Sequence, residues 1–292
     1  MWANVNCGWD RSAGEDSRGV EVTGEAMVTP SDGMVLSCRP ASFHAAQKEM
    51  FARLADWGVR YVEPSLPDPA EAGALLAQLR QHGLRAATVQ VPLNLVDAHM
   101  PKTMDEAARA VREEWGAQII FTSAKTNGAP LPSAYDALRR AGDAVGRHGV
   151  TLVLETHPDL VTSGAVAAQT MRAVNHPHVR INWDTANIHY YNENVDGLYE
   201  MEATLPWITA VHLKDTSTGF HAWNFPGLGE GKVDFGAILA RLQEVGFRGP
   251  CTMEIEGVQG ESLSPAEHAE RVHRSVLYLR SLGYFPALPP LS

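Results

Sequence analysis

Four stretches of the chain end in side chains that bind metals or move protons. VTLVLETHPDL reaches Glu155 and His157, VRINWDTANIHYY reaches Asp184, Asn187 and His189, and ITAVHLKDT reaches His212, Lys214 and Asp215. GPCTMEIEG, further on, reaches Glu254 and Glu256. Each is an apolar, often β-branched run closed by a carboxylate or an imidazole, the pattern of a parallel strand whose C-terminal end opens into a site. Taken together, Glu155, Asp184, His212 and Glu254 form a hard, oxygen-rich donor set. Such a set suits one divalent metal ion, Mn2+ first, or Mg2+, Co2+ or Zn2+, with positions left for substrate oxygens. A single acidic residue at a strand end usually only faces water; four on consecutive strands point to convergence.

Elements able to position these residues recur along the chain. MVLSC (34–38) reads as a first strand and SFHAAQKEMFARLADWG as a helix with apolar residues at helical spacing. VRYVEP (59–64) is a second strand; Asp68-Pro69-Ala70-Glu71 then opens a helix with a capping Asp, a first-turn Pro and a Glu three residues after the cap. That helix stops at Gly83. LRAATVQVP (84–92) and QIIFTS (118–123) are the third and fourth strands, with the amphipathic MDEAARAVREEWG between them. SAYDALRRAGDAVGRHG (133–149) is the next helix. VTLVLE, VRINWD, ITAVHL and CTMEIE supply strands five to eight, and Ser264-Pro265-Ala266-Glu267 opens a last helix ending near Gly283. Eight strands, each followed by a helix-sized segment, predict an α/β fold, a (β/α)8 TIM barrel. A doubly wound sheet is the alternative, but no glycine-rich phosphate turn follows the first strand.

Composition sets outer limits. The chain has 292 residues, is 45% hydrophobic and carries a formal net charge of −10, which suits a globular domain and argues against a nucleic-acid surface. Cys7, Cys38 and Cys251 are widely spaced and form no CxxC pair, so a reducing, cytoplasmic setting is expected. No apolar run approaches the roughly 20 residues of a membrane span. The first 33 residues are polar, rich in glycine and acids, and lack the apolar core of a secretory signal. They are read as a loosely packed extension, with Met27 and Met34 as alternative starts. The expected organisation is an N-terminal extension (1–33), one barrel domain (34–283) and a C-terminal tail (284–292).

With LETH (154–157), WDTAN (183–187), VHLKD (211–215), GLGEGKVDF (227–235) and GPCTMEIEG (249–257), the chain resembles the xylose-isomerase-like barrels. Within them it is most similar to the sugar phosphate isomerase/epimerase group and to inosose dehydratases and isomerases. The resemblance extends over the expected barrel. It implies that Glu155, Asp184, His212 and Glu254 are the metal ligands, and that Glu155 and Glu254 flank the substrate and exchange protons with it. The physical chemistry is consistent. A divalent ion chelated by a carbonyl and its neighbouring hydroxyl stabilises an enediolate, and a carboxylate on its edge can be the base. Two carboxylates on opposite faces permit epimerisation; one base and one acid permit isomerisation or elimination of water.

Other residues carry two readings each. His157 lies two residues past Glu155 and, if the strand continued, would point the same way, as a substrate ligand or an acid; a loop histidine held by a backbone carbonyl is the equal alternative. Lys214 follows His212 at the same period and is read as polarising a sugar oxygen or protonating a leaving hydroxyl; the alternative is a salt bridge with Asp184 or Glu155. Asn187, His189 and Trp223 are candidate substrate contacts, Trp223 and Phe220 lying in a long, lid-sized segment after strand seven. Asp215 is expected to orient a neighbour or cap the following helix. Glu63 ends strand two and could face the site, with surface exposure the favoured reading, and Trp183 is expected in the layer between barrel and helices.

Departures from relatives narrow the substrate. The extra histidines and Asp-x-His pair of the DNA-repair endonucleases in this superfamily are lacking. Ketohexose 3-epimerases carry a further Glu and an Arg where this chain has Val161 and no arginine until Arg241. HLKD instead resembles the inosose enzymes. The resulting expectation is a metal-dependent isomerase or epimerase of a keto-sugar or related polyhydroxylated carbonyl compound, with a dehydratase or other carbon–oxygen lyase as the alternative and a non-catalytic binding protein behind both. A small-molecule carbohydrate partner, no nucleic acid, no membrane, and a homodimer or homotetramer complete the expectations.

Overall fold

The computed structural model describes residues 33–289. The expected extension thus lies, but for its last residue, outside the described residues, as does the end of the tail. The strands are β1 (Val35–Cys38), β2 (Tyr61–Val62), β3 (Arg85–Ala86), β4 (Val89–Gln90), β5 (Ile119–Thr122), β6 (Thr151–Glu155), β7 (Val179–Asp184), β8 (Ile208–Leu213), β9 (Asn224–Phe225), β10 (Pro250–Met253) and β11 (Gly257–Val258). The helices are α1 (Met50–Asp56), α2 (Pro69–Gln81), α3 (Met100–Glu113), α4 (Leu131–Gly146), α5 (Gly164–Val174), α6 (Asn187–Tyr191), α7 (Gly197–Glu202), α8 (Phe235–Glu244) and α9 (Pro265–Ser281).

Nine strands pair in parallel in the order β3-β2-β1-β10-β8-β7-β6-β5-β4. β3 and β4 are the two halves of the single strand expected over 84–92, one pairing with β2 and the other with β5. Gln90 also donates its amide to the Pro64 carbonyl at 2.8 Å. Nine pieces therefore fill eight places in a nearly closed TIM barrel. Among the described residues, no helix is long and apolar enough to cross a membrane.

Period-two alternation decides which side chains face the barrel interior. Along β6, Leu152 and Leu154 join the apolar layer beneath the helices, as do Ile181 and Trp183 of β7, Val211 and Leu213 of β8, and Cys251 and Met253 of β10. The intervening positions point inward. Phe121, Val153 and Ala210 form a small inner cluster, and above it come Glu155, Asp184 and His212. Helix α3 shows the complementary helical pattern, burying Met100, Met104, Ala107, Ala108 and Val111 along one stripe. It begins four residues before the expected start at Met104.

Two local expectations are corrected. The helix expected over 42–58 is instead a 3-10 segment (Pro40–Glu49), kinked at His44 with φ 43°, followed by the short α1. The cause lies across the barrel mouth. Ser42 Oγ accepts the Ile255 amide at 3.0 Å, and the His44 imidazole lies 3.1 Å from the Ile255 carbonyl oxygen. These ties hold the segment to the loop after β10. Asp68 does occupy the cap position of α2, with Pro69 next, but its side chain makes no capping hydrogen bond; that first turn is exposed to water. Ser264 and Glu267, by contrast, form the complete reciprocal capping box of α9.

Candidate metal centre at the mouth of the barrel

Glu155, Asp184, His212 and Glu254 stand at the C-terminal ends of four consecutive barrel strands, β6, β7, β8 and β10. Asp184 and His212 are register partners, and Glu254 follows directly on β10, its amide donating to the Leu213 carbonyl at 3.0 Å. All four side chains are buried, and one potential ligand atom from each lies within 4.8 Å of the others. His212 Nδ1 is 3.2 Å from Glu155 Oε1, 3.2 Å from Glu254 Oε2 and 3.9 Å from Asp184 Oδ2.

The donor set fits a divalent cation. Asp184 Oδ1 accepts the amides of Ala186 and Asn187, each at 2.8 Å, which leaves Oδ2 buried with no hydrogen-bond partner. A buried carboxylate oxygen left unpaired is expensive unless a cation faces it. Burial, together with Glu254 and Glu155 and against the attraction of Lys214, pushes Asp184 up to about 7. Burial opposes charge on His212 as well, yet Glu63 and Glu254 raise it well above the usual imidazole range. The carboxylates thus favour positive charge at this point, which a bound cation supplies.

The two outer carboxylates differ. Burial would raise Glu254, but Lys214, His212 and Arg39 hold it well below the usual carboxylate range. Arg39 Nη1 pairs closely with Glu254 Oε1. Glu155 is also lowered against its burial, mainly by its hydrogen bond with His212, and its Oε2 accepts from the neutral hydroxyl of Ser123.

Lys214 is drawn into the same cluster. Its Nζ lies 3.4 Å from Glu254 Oε2, 3.9 Å from Asp184 Oδ2 and 3.2 Å from Asn187 Oδ1, pairs closely with Glu256, and sits 4.2 Å from the centre of the Phe225 ring. Burial would lower this ammonium, but Glu254, Asp184 and Glu256 push it up instead. Asn187 has its other end engaged too, its Nδ2 donating to the Thr156 carbonyl.

A cavity of about 600 Å³ opens beside the cluster, lined by His157, Tyr190, Tyr191, His221, Trp223 and Lys125 among others. His157 lies past the end of β6; its Nδ1 is 2.9 Å from the Pro158 oxygen and its ring meets Tyr191 edge-on. Trp223 is 43% exposed and contacts Tyr190 and Phe225. His189 stands apart: it does not line this cavity, and a Cβ placed on Gly197 would come within 3.0 Å of its ring. A larger cavity of about 880 Å³ lies at the opposite end, among the N-terminal strand ends such as Val35 and Thr151, away from all four ligand candidates.

The segment after β8 is more structured than an open lid. β9 pairs antiparallel with β11, tying it to the loop after β10. Asp215 organises the remainder by accepting the amides of Gly229, Gly231 and Val233. A Cβ on Gly231 would fall 2.2 Å from Asp215 Oδ1, so this approach requires glycine.

Reasoning from sequence missed three residues and misplaced a fourth. Arg39 follows β1, Ser123 follows β5 and Thr88 lies in the break between β3 and β4; all three touch the buried carboxylates. The rule of strand-end chemistry could have found the first two. Glu63, expected at the surface, is only 1% exposed, because its carboxylate is bound by His212 and Thr88 inside the barrel.

Comparison with known proteins agrees with this architecture. The L-ribulose-5-phosphate 3-epimerase UlaE of Salmonella paratyphi C (strain RKS4594) is 34% identical over 122 residues, which is 41% of this chain and 41% of that protein. The match thus spans less than half the length of this curated relative. The structure of IOLI protein with a binding zinc atom superposes with a TM-score of 0.68 at 18% identity, covering 86% of this chain and 99% of that one. The probable 3-DHS dehydratase AsbF from Bacillus anthracis superposes with a TM-score of 0.66 at 16% identity, covering 85% and 99%. A family model described as a xylose isomerase-like TIM barrel matches residues 51–282, and on that match the chain belongs to the xylose isomerase-like TIM barrel family.

Proposed function

We propose that the protein is a divalent-metal-dependent isomerase or epimerase of a keto-sugar or related polyhydroxylated carbonyl compound. The observation that carries this reading is the placement of Glu155 and Glu254. They stand on the outer strands of the four-strand arc, and each brings a carboxylate oxygen to 3.2 Å from the same nitrogen, His212 Nδ1. Two carboxylates that flank one point can take a proton from one side of a carbon and return it from the other. A cation held by Glu155, Asp184, His212 and Glu254, with Mn2+ the first choice, would supply Lewis-acid stabilisation of negative charge on the substrate oxygens. The UlaE resemblance supports a ketose as substrate.

The asymmetry of the pair supports distinct roles. Glu155, whose second oxygen accepts from the Ser123 hydroxyl, lifts the proton α to the carbonyl. Glu254, flanked by Arg39 and by Lys214 at 3.4 Å, faces the carbon from the other side. Return from Glu254 to the same carbon gives epimerisation; return from Glu155 to the former carbonyl carbon, with the α-hydroxyl proton passing to the former carbonyl oxygen, gives isomerisation. Asn187 holds Lys214, while Trp223, His157 and Tyr191 border the space for the rest of the sugar.

Dehydration on the same scaffold needs an acid for the leaving hydroxyl. Lys214 is a poor candidate, because its carboxylate neighbours hold its proton firmly. The deciding experiment is proton NMR in D2O with Mn2+-loaded protein and a panel of ketoses, ketose phosphates and inososes. Deuterium at the α-carbon with a new stereoisomer or an aldose is expected. Loss of water assigns the dehydratase reading, and no exchange with any member refutes both.

A further inference from the structure

Glu63 is a buried carboxylate to which the reaction outlined above gives no part. It lies just past β2, at 1% exposure, where an unpaired charge would be strongly disfavoured. Its Oε2 accepts the Thr88 hydroxyl, its Oε1 lies 3.0 Å from His212 Nε2, and Arg39 Nε stands 3.9 Å away. The opposite nitrogen of that imidazole, Nδ1, faces Glu155, Glu254 and Asp184. The ring is also backed by Phe121, with centroids 4.5 Å apart. Each nitrogen therefore has its own direction, Nε2 toward Glu63 and Nδ1 toward the cluster.

We propose that Glu63 is a positioning residue for the metal centre: by accepting the Nε2 hydrogen of His212 it fixes the ring so that the Nδ1 lone pair serves the cation, with Thr88 holding Glu63 in place. A carboxylate on the far nitrogen fixes both tautomer and ring orientation and raises the basicity of the ligating nitrogen. A ring turned over about its outer bond would set carbon atoms at both positions, losing the Glu63 hydrogen bond and the ligand together. Arg39 links the two ends of the arrangement, reaching Glu63 with Nε and Glu254 with Nη1. The inference rests on the metal reading of the site proposed above.

The test reads metal binding, with no substrate present. Protein labelled with 15N-histidine is loaded with 113Cd2+, and the one-bond coupling between metal and nitrogen is assigned for His212. Co2+ affinity is then measured by calorimetry for the unmodified protein, Glu63→Gln and Thr88→Val, with urea midpoints recorded for all three. The expected results are coupling to Nδ1 and a Co2+ affinity about 10- to 100-fold weaker in Glu63→Gln, with a smaller loss in Thr88→Val. Coupling to Nε2 overturns the proposal, and so does equal Co2+ affinity in the unmodified and Glu63→Gln proteins. If Glu63→Gln does not fold, the coupling in the unmodified protein decides alone. Uptake of neither ion by the unmodified protein brings down the metal reading itself, a result distinct from uptake that Glu63 does not influence.

Discussion

Replacing Lys214 with Met tests how the buried charges are balanced. Methionine keeps most of the length of the stem and removes the ammonium. The lysine side chain is 3% exposed and its Nζ meets Glu254 at 3.4 Å, Asp184 at 3.9 Å, and Glu256. Removing one partner of a buried pair leaves the other uncompensated and destabilises by about 3–5 kcal/mol. Glu256 is 32% exposed and can turn toward water, which places the expected effect near the lower figure, about 3 kcal/mol. At ~2–4 °C per kcal/mol for a chain approaching this size, the melting temperature of the metal-free protein should fall by roughly 6–12 °C. Saturating Mn2+ should narrow the deficit, because a cation at Glu254 and Asp184 replaces part of the charge lost. Calorimetric melting of both proteins, chelated and with matched Mn2+, measures both effects. A metal-free shift below about 3 °C would mean that these contacts behave like a solvent-exposed pair. A deficit that Mn2+ leaves unchanged would refute the idea that lysine and metal share the same carboxylates.

Glu155→Gln and Glu254→Gln should each lower deuterium exchange into substrate by at least about 100-fold with the fold retained, the Glu254 variant melting lower because Arg39 and Lys214 lose a buried partner; exchange within a few-fold of the unmodified rate for either would remove that residue from proton transfer. Exhaustive chelation should abolish turnover and Mn2+ restore it, and Mn2+ at a hundred times its dissociation constant should stabilise the fold by about 2.7 kcal/mol. Full activity after chelation refutes the metal-dependent reading. His212→Ala should chiefly reduce metal occupancy, measured by elemental analysis, and normal occupancy would place the ion elsewhere. Trp223→Ala should raise KM with little change in kcat or melting temperature, since the ring is 43% exposed on the cavity rim; unchanged KM would separate Trp223 from substrate binding.

What could be read from residues alone, and what could not, follows from the range over which each determinant acts. Glu155, Asp184 and His212 end strands β6, β7 and β8, of five, six and six residues, where inward and outward positions alternate cleanly. An apolar run of that length announces the strand, its phase announces the face, and the polar residue that closes it announces the site. Glu254 follows a fourth such run, so the ligand set and the barrel were visible together. Glu63 was open to two readings and the surface was favoured, because β2 has only two residues and carries no phase of its own. A lone acid after so short a strand is ordinarily solvated. What buries Glu63 is an imidazole 149 positions away and a hydroxyl 25 positions away. Arg39 is similar, its partner Glu254 lying 215 positions along the chain. The kink at His44 again depends on a distant partner, the backbone at Ile255. His157 and His189 were both candidates for the substrate side, yet one borders the cavity and the other packs beside Gly197, because α6 begins between Asp184 and His189. Local pattern therefore identifies the four candidate ligands. The charges that hold those side chains in place are set by closure of the barrel, since only closure brings β1 and β2 against β10 and β8.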